Sequence, residues 1–292
     1  MEKDRPATRI SVISYWLPLL LASLSGCSED PVADVVSGED QSPEDQDWEM
    51  VWQDEFNGSA INILVWDHEV NGYGGGNNEL QYYTDRSENS YVSDGTLKIV
   101  ARAETYTGDD GTREYTSARM RTAFHGDWLY GRFEVRAKLP VGQGLWPAIW
   151  MLPTDWEYGG WPLSGEIDIM ELLGHDPNTV YGTIHYGDPW PDNAHTGDAY
   201  NSPLIGFDDR FHTFAVEWDT TAIHWYVDDD HYLTLNTWYT PSADYPAPFD
   251  KRFHLLLNVA VGGNWPGDPD ETTVFPQTME VDFVRVYRRI TD

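Results

Sequence analysis

The run Gly165-Glu166-Ile167-Asp168-Ile169-Met170-Glu171-Leu172 sets three carboxylates into an apolar stretch that reads as a β-strand. A strand sends alternate side chains to opposite faces, so unbroken alternation groups Glu166, Asp168 and Met170 and turns Glu171 the other way. One extra residue repairs this. A β-bulge at Ile169-Met170 lets two residues oppose one on the neighbouring strand and returns Glu171 to the face of Glu166 and Asp168. Ile167, Ile169, Leu172 and Leu173 then imply a buried opposite face. The expectation is a bulged strand with core on one side and a row of acids on the other. An acidic strand edge facing water, or a cation site, is the plainer alternative.

Like charges held in one site push at least one proton affinity upward, and two carboxyl groups with separated proton affinities are what glycoside cleavage uses. With the bulge, the Cα atoms of Glu166 and Glu171 lie roughly 13 Å apart, four steps of about 3.3 Å. Side chains leaning inward across a sugar ring would approach the roughly 5 Å carboxyl spacing of a retaining enzyme. Glu166 is the expected nucleophile and Glu171 the acid/base. Asp168, close enough to share a proton with Glu166, is the expected modulator.

The segment Trp161-Pro162-Leu163-Ser164-Gly165-Glu166-Ile167-Asp168-Ile169-Met170-Glu171 resembles the active-site signature of glycoside hydrolase family sixteen in its bulged form. Asn77-Asn78-Glu79-Leu80-Gln81-Tyr82-Tyr83-Thr84, Gly144-Leu145-Trp146-Pro147-Ala148-Ile149-Trp150-Met151-Leu152-Pro153, Gly182-Thr183-Ile184-His185-Tyr186-Gly187 and Asn258-Val259-Ala260-Val261-Gly262-Gly263-Asn264-Trp265-Pro266-Gly267 are similar to the laminarinase branch. The likeness runs from about Trp48 to the end of the chain. It implies an all-β, curved jelly-roll sandwich of concanavalin A type, with the acids in a substrate cleft on the concave face. It also implies retaining endo-hydrolysis of β-1,3-glucans. Sister activities on mixed-linked glucan, agar or carrageenan, transglycosylation, and non-catalytic glucan binding remain open alternatives.

The same resemblance points to substrate-binding roles for Asn78 near the negative subsites, Arg119 near the nucleophile, His185 on the leaving-group side and Asn258. Trp146, Trp150, Trp161 and Trp265 are candidates for stacking on sugar faces; core packing is the alternative for each. Gly and Pro neighbours place Trp161 and Trp265 on loops, which strengthens their case. Arg119 could equally be one half of a cross-strand ion pair. No second His or Cys stands at a metal-ligand spacing from His185, so a zinc site is not expected there. Glu55, Gly95 and Asp282 resemble the family's structural calcium site, on resemblance alone. No cofactor is expected for catalysis.

The rest of the chain reads as strands and turns. Arg132 to Leu139 alternates with Phe133, Val135, Ala137 and Leu139 inward. Phe214, Val216 and Trp218 repeat the pattern, and Ile223, Trp225 and Val227 answer after the turn at Asp219-Thr220-Thr221. Asn71-Gly72-Tyr73-Gly74-Gly75-Gly76-Asn77-Asn78 lacks the lysine of a phosphate loop; its glycines suit a close backbone approach to a ligand or a mobile loop. A formal net charge of −31 excludes a nucleic-acid partner and favours an uncharged one. A monomer is expected.

Residues 1–26 read as an export signal: Lys3, Arg5 and Arg9 precede an apolar run from Ile10 to Leu24, too short for a span of roughly 20 residues. The run ends in Leu24-Ser25-Gly26-Cys27, which resembles a bacterial lipobox, and Cys27 is the chain's single cysteine. A lipid on Cys27 would tether the protein to a membrane, at the outer membrane or cell surface, with its body in the periplasm or exterior. Ser28 to Asp47 holds eight acids and no Lys or Arg, and reads as a flexible acidic linker. Residues 48–292 are the expected catalytic domain.

Overall fold

A computed structural model describes residues 47–202 and 206–290. The export signal, Cys27 and the acidic segment as far as Gln46 lie outside the described residues. All described residues fall within one unit of the chain. None of their helices is long and apolar enough to cross a membrane.

Two sheets form a sandwich. One runs in the order Asp230–Leu235, Ile223–Val227, His212–Trp218, Gly131–Lys138, Gln277–Arg289, Thr96–Gly108, Gly111–Ser117, Gln81–Tyr83, with Trp48–Asp54 and Ser90–Ser93 added at its side. The other runs Asn193–Asn201, Thr179–Gly187, Glu166–Leu172, Leu145–Pro153, Phe253–Val261, Arg119–Arg121, Asp67–His68, with Asp127–Trp128 against Phe253–Val261. Pairing is antiparallel throughout except between Gln81–Tyr83 and Gly111–Ser117.

The alternation read in the sequence fills the space between the sheets. Phe133, Val135, Ala137 and Leu139 are buried, as are Phe214, Val216, Trp218, Ile223, Trp225 and Val227. Each such large apolar side chain contributes roughly 1.5–3 kcal/mol by leaving water. The turn between the last two strands is fixed by Asp219, whose Oδ1 accepts from the backbone N–H groups of Thr221 (2.6 Å) and Ala222 (3.0 Å). Phe253–Val261 is buried on both faces: Phe253, Leu255, Leu257, Val259 and Val261 join the core, while Asn258 and Ala260 form floor on the other side.

The expected bulge is present. Against Thr179–Gly187, Asp168 pairs with Thr183 and Glu171 with Tyr181, so three steps on one strand match two on the other. Against Leu145–Pro153, Met170 pairs with Ile149 and Asp168 with Trp150. Ile169 and Met170 consequently both enter the core, and the acids on either side of them share the outer face.

Opposite the bulge stands Gly182, where a Cβ would come within 2.5 Å of Trp225 Cδ1 and 2.5 Å of the Tyr232 hydroxyl. The space left by the missing side chain lets the Trp225 indole reach in from the opposing sheet and donate its N–H to the Asp168 carbonyl at 2.8 Å. Gly182→Ala is expected to destabilise the fold by about 1–3 kcal/mol, because the fully buried Trp225 must move. Urea unfolding of the two proteins checks this, and equal midpoints would show that the bulge does not depend on that gap.

Candidate active site

The outer face of the second sheet carries a cleft of about 840 Å³. Its floor follows the strand register. Trp146, Ala148 and Trp150 come from Leu145–Pro153, Glu166, Asp168 and Glu171 from the bulged strand, and Tyr181, Thr183 and His185 from the next. Loops supply the walls: Gly75, Gly76 and Asn77 with Trp265 on one flank, Trp156, Trp161 and Trp190 elsewhere.

Indole N–H groups hold two of the acids. Trp161 Nε1 donates to Glu166 Oε2 at 2.9 Å, and Trp146 Nε1 donates to Glu171 Oε1 at 3.0 Å. A third indole, Trp150, donates to Asn258 Oδ1 at 2.8 Å. Asn258 in turn donates to the Tyr83 hydroxyl (3.2 Å), which donates to Glu79 Oε2 (3.1 Å) beside a bond from Gln81 Nε2 (2.6 Å). Burial first, and the charge of Glu79 second, keep the Tyr83 hydroxyl protonated well above its ordinary range.

Arg119 forms the ion pair and also lies in the cleft lining. Its Nε lies 3.1 Å from Glu69 Oε2, an ion pair, and its guanidinium sits 4.4 Å from the ring centre of Trp150 inside the cleft. Of the tryptophans, Trp161 and Trp265 are 40% and 42% exposed and present ring surface to solvent, whereas Trp146 and Trp150 are half-buried floor. Trp265 packs edge-on against Trp146 and Tyr181. His185 Nε2 stands 3.3 Å from Asp168 Oδ2 and 3.8 Å from Glu166 Oε1, facing those two acids.

Asn78 is exposed, and its neighbour Asn77 is the asparagine in the cleft lining. The Asn78 backbone turns left-handed (φ 58°), and its amide donates to Asn264 Oδ1 at 2.9 Å, tying two loops together. Glu79, Tyr83, Tyr181, His195, Trp156 and Trp190 line the cleft without having been singled out. The first two carried a readable signal: Glu79, Gln81 and Tyr83 sit at alternate positions leading into a strand.

Burial dominates the electrostatics. It pushes Glu166 up to about 8, with the charge of Asp168 adding to the rise and His185, Arg119 and the Trp161 N–H opposing it. Burial pushes Asp168 up to about 8. Glu171 is raised well above the ordinary carboxylate range by burial, then by Asp168 and Glu166, against His185 and Trp146. Glu166 has the most groups favouring its charged form, and Glu171 has two acids opposing its own.

Residues 76–285 match the family described as Glycosyl hydrolases family 16. The chain belongs to glycoside hydrolase family 16. It is 46% identical to a β-glucanase of Rhodothermus marinus across 97% of this chain and 98% of that protein. It is 43% identical to a glucan endo-1,3-β-glucosidase of Cryptopygus antarcticus, over 82% and 91%. The crystal structure of the laminarinase catalytic domain from Thermotoga maritima superposes with a TM-score of 0.77 at 45% identity, over 84% of this chain and all of that one. The jelly-roll architecture is therefore that of the family.

In this family 16 chain the proposed calcium residues are neighbours in register, since Asp54 pairs with Val284 and Val281 with Leu97. Glu55 receives two bonds from Arg285, at 2.7 and 2.9 Å, and Asp282 is bonded by Arg136, while Gly95 has only backbone to offer. Both carboxylates are thus engaged by arginines in this conformation. Among the described residues, the side chains that do bring three ligand atoms together are Glu166, Asp168 and His185.

Asp168 sets a stability expectation with a definite sign. Between pH 4 and 8 the unfolded chain ionises this carboxyl while the folded chain keeps it protonated, so folding takes up a proton and stability falls as pH rises. Asp168→Asn removes that dependence. The variant is expected to gain on the parent by up to about 1.4 kcal/mol per pH unit across the window. Urea unfolding at pH 5 and pH 8 measures the gain, and a difference that does not grow with pH would contradict it.

Proposed function

We propose that this family 16 chain hydrolyses internal β-1,3-glucosidic bonds of laminarin-type glucans with retention of configuration. Glu166 acts as nucleophile, Glu171 as acid/base and Asp168 as the proton-sharing neighbour. The observation that carries the assignment is the bulge, which sets both glutamates on one face of one strand, inside the cleft. Relatives named as endo-1,3-β-glucosidases and laminarinases, at up to 45% identity, support the substrate class.

Each glutamate has surroundings suited to its step. Glu171, buried beside two other acids, holds its proton and delivers it to the glycosidic oxygen as the bond breaks. Glu166 is the acid whose charged form is favoured by His185, Arg119 and the Trp161 N–H, and its carboxylate oxygen attacks the anomeric carbon. Asp168 holds the proton that the pair shares, which leaves the charge on Glu166. Glu171, now ionised, then takes a proton from the water that releases the glycosyl-enzyme. Trp161 and Trp265 offer ring faces to the sugars, and Arg119, His185 and Asn258 hold hydroxyl groups at the floor.

Export and lipidation at Cys27 complete the reading. A basic start, a short apolar run and a cysteine after Ser25-Gly26 support a lipid-anchored protein at the outer membrane or cell surface. A structural calcium near Glu55, Gly95 and Asp282 rests on family likeness and would require Arg136 to release Asp282.

Glu166→Gln is expected to lower kcat on laminarin by on the order of 10⁴-fold or more, the scale on which removal of a nucleophile acts. Glucan binding and the fold should survive. Appreciable residual hydrolysis would refute the assignment, and lichenan and agarose run beside laminarin test the linkage. Trp161→Phe gives a separate check. It removes a bond that favours ionised Glu166, so the acidic limb of the kcat/KM profile should move to higher pH.

A further inference from the structure

The sequence showed no metal-ligand spacing around His185, yet the fold supplies what spacing could not. Glu166 and Asp168 from one strand and His185 from its neighbour bring one ligand atom each within 4.8 Å of one another. His185 Nε2 lies 3.3 Å from Asp168 Oδ2 and 3.8 Å from Glu166 Oε1. Two ligands of a tetrahedral ion, each at 2.0–2.1 Å from it, are about 3.4 Å apart. Small side-chain rotations therefore suffice to close on an ion.

A second observation points the same way. Asp168 is 3% exposed, and its Oδ2, the atom facing the imidazole, has no hydrogen-bond partner. A buried carboxyl oxygen left without a partner is costly, and a second acid stands beside it. A divalent cation would satisfy the oxygen and take the place of the proton that the two acids otherwise hold.

We propose that Glu166, Asp168 and His185 form a site for a borderline divalent transition-metal ion, of which Zn²⁺ is the type, and that the ion competes with glucan. One imidazole and two carboxylates with an open fourth position suit zinc. They do not suit calcium or magnesium, which take six or more oxygen ligands. The site is built for an exchangeable ion. His185 Nδ1 is buried without a partner, so the outer bond that normally fixes a metal-ligating imidazole is missing. An ion held here occupies the lone pairs with which Glu166 would attack. The blocking effect rests on the glycosidase reading above, whereas the binding does not.

Calorimetric titration of the full chain with zinc chloride tests the binding without recourse to activity. His185→Gln and Asp168→Asn account for zinc taken up elsewhere, including at Cys27. The expected result is a one-to-one site in the parent chain that weakens by more than about 100-fold in each variant, beyond the 10–100-fold that loss of an outer partner produces. Excess calcium should leave it intact, and zinc should raise the apparent KM for laminarin with kcat unchanged. Equal zinc affinity in the parent and both variants would overturn the proposal. So would zinc inhibition that laminarin does not relieve. A chain that binds zinc as described but hydrolyses no glucan would instead overturn the glycosidase reading and leave the site standing.

Discussion

The hydrogen bond from the Trp225 indole to the Asp168 carbonyl is the contact on which the cleft depends. It crosses from one sheet to the other at the residue where the strand changes register. Without the extra residue, Glu171 would lie in the interior and its carboxyl would be desolvated with no cleft to face. Gly182 makes the contact possible by leaving room beneath the bulge. A core tryptophan, a glycine and a strand irregularity thus act as one device, and the acids are its product.

The same geometry sinks the acids into the floor of the cleft. Burial is the largest cause of the shift at Glu166, Asp168 and Glu171 alike, so the three cannot all ionise at neutral pH. What distinguishes them is their neighbours: an indole N–H each for Glu166 and Glu171, and for Asp168 the imidazole of His185 alone. The site trades stability for proton affinities that differ over a few ångströms. In the proposed mechanism that unequal sharing separates an acid from a nucleophile within one short strand.

Much of this was legible in the chain. The alternation of Phe133, Val135 and Ala137 is local, and so is the surplus residue at Ile169-Met170, because a strand's two faces are written in the order of its residues. Contacts between sheets are not written that way. Nothing near Gly182 announces Trp225, and nothing in Arg136 announces Asp282, since each pair meets only after the sandwich closes. Asn77 and Asn78 differ for a related reason: adjacent asparagines look alike in sequence, and the left-handed backbone at Asn78 leaves Asn77 in the cleft lining.

The two indoles bonded to the glutamates have a further consequence. Trp161 and Trp146 line the groove and turn their N–H edges to the carboxyl groups, so in the proposed mechanism one side chain would both meet a sugar and steady a reactive oxygen. A sugar that settles on the rings expels water, and the polar contacts beneath strengthen as the local dielectric falls. Filling the groove therefore sharpens the difference between donor and attacker, and an empty one is only partly armed.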